Sequence, residues 1–153
     1  MTSQVIDQGL EPRHPALVRS PIPVAALEWS SEMNAPVAVI DRYIAMWNAT
    51  DAEDRRDLVA GVWTESATYL DPLMQGRGHD GIDAMIHGIQ QQYPGHRFRR
   101  TSEVDAHNDR VRFGWELAAE GQAPLAQGVD FGVIGPDGRL QSITGFLDPA
   151  VGA

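Results

Sequence analysis

With 153 residues, 42% of them apolar, the chain fits one soluble domain with a core of its own. It has no cysteine, which excludes disulfides, thiolate chemistry and a cysteine zinc site. Its formal charge of −9 argues against non-specific nucleic-acid binding, and no apolar run approaches the ~20 residues that span a bilayer. Neither nucleic acid nor membrane is therefore expected as a partner. No secretory leader is read near the start, so a cytoplasmic protein is expected.

Residues 1–33 carry Pro12, Pro15, Pro21 and Pro23 and sustain no regular period; a flexible or loosely packed N-terminal arm is expected there. Asn34 then reads as an N-cap and Pro36 as a first-turn proline, opening a domain over residues 34–148 and leaving 149–153 as a tail. Val37, Ile40, Tyr43, Ile44 and Trp47 form one helical stripe. A second helix follows Thr50 or Asp51, with an acidic first turn that suits the helix dipole and an inner face of Leu58, Val59 and Val62. Next comes ATYLDP, where alternation puts Ala67, Tyr69 and Asp71 on one side and Thr68 and Leu70 on the other, until Pro72 ends the strand.

After Gly76 and Gly78 a third helix presents Ile82, Met85, Ile86 and Ile89 and stops at Tyr93-Pro94-Gly95. From His96 onward the pattern is that of strands: one over about 96–106, a turn at Asn108-Asp109, then Val111, Phe113, Trp115 and Leu117 alternating with Arg110, Arg112 and Glu116. Another covers 125–134, and the Pro136-Asp137-Gly138 turn leads into a last strand over 139–147. Three helices followed by a run of strands is an α+β layout, a curved antiparallel sheet with helices closing one face.

This order, with VIDRYIAMWNATD, ATYLDP, the glycine pair and DFGVIGPDGRLQSITGF, resembles the SnoaL-like group of the nuclear transport factor 2-like superfamily over about residues 35–148. The resemblance implies a cystatin-like cone, a strongly bent sheet wrapped on a long helix with an apolar pocket at its open end. Three positions are similar to ketosteroid isomerases: Tyr43 in RYIAMWNATD, Asp71 in ATYLDP, and Asp130 eight residues ahead of Gly138. That likeness implies catalytic roles, with Asp71 the base that moves a proton and Tyr43 and a protonated Asp130 the donors to a developing enolate oxygen. A carboxyl kept neutral by an apolar site is a known feature of those isomerases. Where those isomerases carry a supporting tyrosine in the third helix, this chain has Ile86.

Read from the residues alone, each position has two accounts. Asp130 shares a strand face with Ala126, Gly128, Gly132 and Ile134, which leaves room around one buried carboxyl, or else it pairs with an arginine or is exposed at a strand end. Asp71 lines a pocket beside Tyr69 or caps the turn after it. Tyr43 is a donor or a core tyrosine with a satisfied hydroxyl. Trp47, Trp63, Tyr69, Met85, Phe98, Trp115 and Phe146 are the candidate substrate-binding side chains, otherwise core.

The opposite face of residues 125–133 is apolar enough to need a cover, and a homodimer through that outer sheet face is expected. His79, Asp83 and His87 share a helix stripe without a zinc signature, so no metal is expected; Gly76-Arg77-Gly78 lacks phosphate-loop spacing; HRFRR alternates across a strand. The expectation is a cofactor-independent isomerase- or cyclase-like enzyme that moves a proton on an apolar carbonyl or polycyclic molecule. The alternative is a non-catalytic dimeric binding protein for an apolar ligand.

Overall fold

Residues 25–149 are described by the computed structural model, with side chains from residue 35 onward. Contacts divide the chain into two units, Met1–Glu32 and Met33–Ala153, and every strand among the described residues belongs to the second. The expected arm up to residue 24, and the end of the expected tail, lie outside the described residues. The first helix, α1 (Ala25–Asn48), starts earlier than expected and carries Pro36 inside it, so Asn34 is not its N-cap. The stretch AALEWSSEM is rich in good helix formers, and it carries the helix up to the proline in spite of the missing N–H. Beyond Pro36, Val39, Ile40, Tyr43, Met46 and Trp47 are buried along one face.

Helix α2 (Ala52–Val62) begins as the sequence indicates, with the Asp51 carboxylate accepting from the Asp54 N–H at 3.0 Å. Its one surprise is Arg55, only 3% exposed. The guanidinium donates to Asp83 Oδ1 at 2.7 Å and to Gln90 Oε1 at 3.0 Å, while Gln90 donates to the carbonyls of Trp47 and Ala49. Helix α3 (Gly78–Gln92) supplies both partners, so one cation ties the end of α1, α2 and α3 together.

Strand β1 (Trp63–Leu70) is followed by β2 (Gln75–Arg77), a short return strand that the sequence pattern does not reveal. After α3 come β3 (His96–Arg100), β4 (Asp105–His107), β5 (Arg110–Ala119), β6 (Ala126–Ile134) and β7 (Leu140–Leu147). The single strand expected over 96–106 is thus two, both paired to β5, with residues 101–104 bulging between them. Asn108 takes a left-handed conformation in the hairpin turn before β5, and Gly138 does so before β7.

The sheet runs β2-β1-β7-β6-β5-β3, with β4 also on β5. Its pairs are antiparallel except β1 with β7, which are parallel, so the sheet is mixed rather than wholly antiparallel. The chain leaves β1 by way of α3 and the β3–β6 meander, and β7 then slots between β1 and β6. Gly128 on β6 lies so close to Phe146 that a Cβ would sit 2.0 Å from its carbonyl oxygen, a gap only glycine tolerates.

The core lies between the helices and the inner sheet face. Tyr43 is its hub, edge-on to Trp63 at 5.8 Å and to Phe113 at 5.7 Å between ring centroids. Among the described residues no helix is long and apolar enough to cross a membrane.

Candidate functional site

Strand parity brings two carboxyls to one place. Tyr69 and Asp71 follow the inward parity of β1, and Asp130 follows that of β6, with Gly145 of β7 between them. An ideal Cβ on Gly145 would stand 2.9 Å from Asp130 Oδ1, 3.2 Å from Asp71 Cβ and 3.3 Å from the Tyr69 hydroxyl. A bare glycine at this position is what lets the acidic groups share one corner.

Both oxygens of Asp130 are engaged. The Tyr43 hydroxyl donates to Oδ2 at 2.7 Å and the Trp115 indole N–H to Oδ1 at 2.9 Å. Burial raises the Asp130 carboxyl to about 7; the two donors oppose the rise and the nearby Asp71 adds to it. Tyr43 is raised well above the usual phenol range, by burial first and the charge of Asp130 second. The same two causes, then the hydrogen bond to Asp71, raise Tyr69.

Asp71 realises both accounts of its position. Its Oδ1 accepts from the backbone N–H groups of Leu73 and Met74, at 2.7 and 2.9 Å, capping the turn after Pro72. Its Oδ2 accepts from the Tyr69 hydroxyl at 2.7 Å and lies at the wall of a cavity.

That cavity, of about 870 Å³, is lined by Tyr43, Asp71 and Asp130 at the acidic corner and by Trp47, Tyr69, Met85, Phe98 and Trp115 around it. Along α3 it meets Gly81, Ala84 and Gly88, and its rim carries the exposed Leu73 and Leu125. Two of the candidate ligand-binding side chains are elsewhere. Trp63 is fully buried at the start of β1, its indole N–H on the Met46 sulfur at 3.1 Å. Phe146 is 59% exposed and does not line the cavity; it follows the outward parity of Ser142 and Thr144.

Two contacts escaped the sequence: the Trp115 bond to Asp130 and the Tyr69 bond to Asp71. Alternation places Trp115 inward, but only the pairing of Phe113 with Asp130 brings the indole to that carboxyl.

Several groups of the other patches are engaged within the protein. Asp83 holds Arg55, and the His79 ring is bonded to the Trp63 carbonyl. Among the described residues no three His, Cys, Asp or Glu side chains gather to hold a metal ion. In HRFRR, Arg99 pairs with Glu116, and Arg100 donates to the Ser102 carbonyl.

The raised Asp130 value makes stability depend on pH. A carboxyl that holds its proton more tightly folded than unfolded gives a contribution fully present below about pH 4, lost as pH rises to 7. Wild type is expected to lose roughly 4 kcal/mol relative to Asp130→Asn between pH 4 and 8. Urea unfolding of both proteins across that range checks it, and parallel curves would contradict it.

The fold defines a class, and the comparisons agree with it. The model of the SnoaL-like domain matches residues 40–143, and the chain belongs to that family. A candidate isomerase of the SnoaL-like family from Agrobacterium tumefaciens str. C58 is 39% identical, with a TM-score of 0.72 over 76% of this chain and 99% of that one.

Two more distant structures share the fold. A nuclear transport factor 2-like protein of unknown function from Exiguobacterium sp. 255-15 is 16% identical over 73% of this chain and 99% of its own, with a TM-score of 0.60. A candidate SnoaL-like polyketide cyclase from Jannaschia sp. CCS1 is 15% identical over 75% of this chain and 86% of its own, also with a TM-score of 0.60. No curated protein matches the chain. The finer likeness to ketosteroid isomerases rests on the three motif positions alone.

Proposed function

We propose that the protein is a cofactor-independent enzyme of isomerase or cyclase type that moves a proton on an apolar, carbonyl-bearing ring compound. The observation that carries this is the convergence of Asp71 and Asp130 beside Gly145, at one end of a largely apolar cavity. The SnoaL-like family and the description of the Agrobacterium relative as a candidate isomerase support it.

In this reading Asp71 removes a proton from the carbon next to the carbonyl, and the bonding pair moves to leave an enolate. Asp130, carrying its proton, donates a hydrogen bond to the enolate oxygen. Asp71 then returns its proton to the same or a conjugated carbon, so nothing is consumed. Tyr43 stands behind Asp130 and donates to it. Trp47, Met85 and Phe98 give the ring system apolar walls. Deuterium exchange into a panel of cyclic ketones, followed by NMR, tests this: exchange above the buffer rate is expected, and its absence across the panel would remove the enzymatic reading.

The non-catalytic alternative, a dimeric binding protein, keeps the same pocket. Its supporting observation is that Asp71 caps a turn, which would hold the carboxylate in place without any chemistry. Under either reading the outer sheet face pairs two copies. Phe131 and Phe146 are 39% and 59% exposed there, and Val129, opposite Phe146, extends the apolar surface. Sedimentation is expected to give a dimer for wild type and a monomer for Phe131→Glu; a wild-type monomer would overturn the pairing.

A further inference from the structure

The cavity carries a charge asymmetry that the proton-transfer reading does not use. Two carboxyl side chains line it, and no arginine, histidine or lysine does among the described residues. The three polar hydrogens at its acidic corner are already committed to those carboxyls: Tyr43 and Trp115 to Asp130, Tyr69 to Asp71. What the corner has to spare is lone pairs, on oxygens set back among aromatic rings.

An anionic group entering here would meet two carboxyls, one of them buried, with no compensating cation in the lining. At this corner, as opposed to the Gln75, Gln92 and Tyr93 positions elsewhere in the lining, a neutral carbonyl finds a donor only when Asp130 is protonated. An ammonium group answers every feature at once: its N–H groups fill the spare lone pairs, its charge offsets a buried carboxylate, and the faces of neighbouring rings favour it.

We infer that the pocket selects ring compounds whose polar end is a protonated amine, seated against Asp71 and Asp130, and refuses those that end in an anion. This rests on the pocket reading above and narrows its substrates to carbonyl compounds that carry a basic nitrogen. With such a compound bound, Asp130 acts as counter-ion and the ammonium N–H takes over as donor to the enolate oxygen.

Charge selection has a pH signature. Asp130 is faced by Tyr43 from α1, by Tyr69 and Asp71 from β1 and its end, and by Trp115 from β5. Tyr43 and Tyr69 are raised away from neutrality, which leaves Asp130, raised to about 7, as the group whose proton the ammonium displaces. Amine binding therefore strengthens as pH rises through neutrality and releases a proton.

The test compares three probes on one skeleton by isothermal titration calorimetry: naphthylmethylamine, naphthalenemethanol and naphthoate. At pH 8 the amine is expected to bind at least about ten-fold tighter than the alcohol, with no measurable heat from naphthoate. The amine's advantage is expected to shrink several-fold at pH 5.5, to release protons when two buffers of different ionisation heat are compared, and to vanish in Asp130→Asn. Asp71→Asn, read in the same way, serves if that variant does not fold. An amine no tighter than the alcohol, or naphthoate binding as well as the amine, overturns charge selection and leaves the pocket reading intact. If none of the three binds, the pocket reading falls with it.

Discussion

Asp71→Asn is expected to lower proton exchange into a responsive cyclic ketone by about 10²–10⁴-fold, the factor a positioned general base contributes. The substitution is close to isosteric. The amide oxygen can still accept from the N–H groups of Leu73 and Met74, so the turn keeps its cap, while the amide nitrogen replaces the oxygen that now accepts from Tyr69. The fold should survive and only the basicity disappear. The loss should fall on kcat with KM little changed, because the carboxylate acts on the proton in flight rather than on the ring system. A variant that exchanges at the wild-type rate would mean that Asp71 is a turn cap and no more.

Arg55→Ala is expected to destabilise the domain by about 3–5 kcal/mol, since it breaks a buried ion pair from one side. Asp83 would lose its cation, and Gln90 would keep its bonds to the Trp47 and Ala49 carbonyls while its own oxygen went unpaired. Arg55→Lys is expected to recover little, because a single ammonium cannot reach Asp83 and Gln90 as the forked guanidinium does. Urea unfolding of the three proteins at pH 7 decides it. A loss below about 1 kcal/mol for the alanine variant would place the pair among surface ion pairs of small effect.

Arg55 also marks a limit of what the sequence could say. It stands in AEDRRD, where every residue is polar, and helical period cannot tell which of two adjacent arginines turns inward. Tyr43, Asp71 and Asp130 were legible because each sits in an apolar pattern whose period, helical for Tyr43 and alternating for the two acids, assigns it a side. Parity is a local property. It cannot give the register between strands, and register alone sets the Trp115 indole on Asp130.

Trp63 and Phe146 mislead for opposite reasons. Trp63 belongs to the helix-to-strand junction, where neither period applies and the ring is swallowed by the core. On β7 the register slips after Leu140, so counting along the strand from its start loses the side on which Phe146 lies. The long helix through Pro36 was missed because a proline after an asparagine reads as a beginning. β2 is three residues long, too short for alternation to register.

The place of β7 in the sheet has a consequence for how the molecule comes into being. The strand that separates Asp71 from Asp130, and whose glycine lets them meet, is synthesised after every other described element. β1 must wait unpaired on that side through the synthesis of some seventy residues, and the closure is among the most sequence-distant the chain makes. The two-acid corner is therefore completed only when β7 is in place: a nascent chain still lacking β7 can carry helices and a meander, but no hollow with two acids in it.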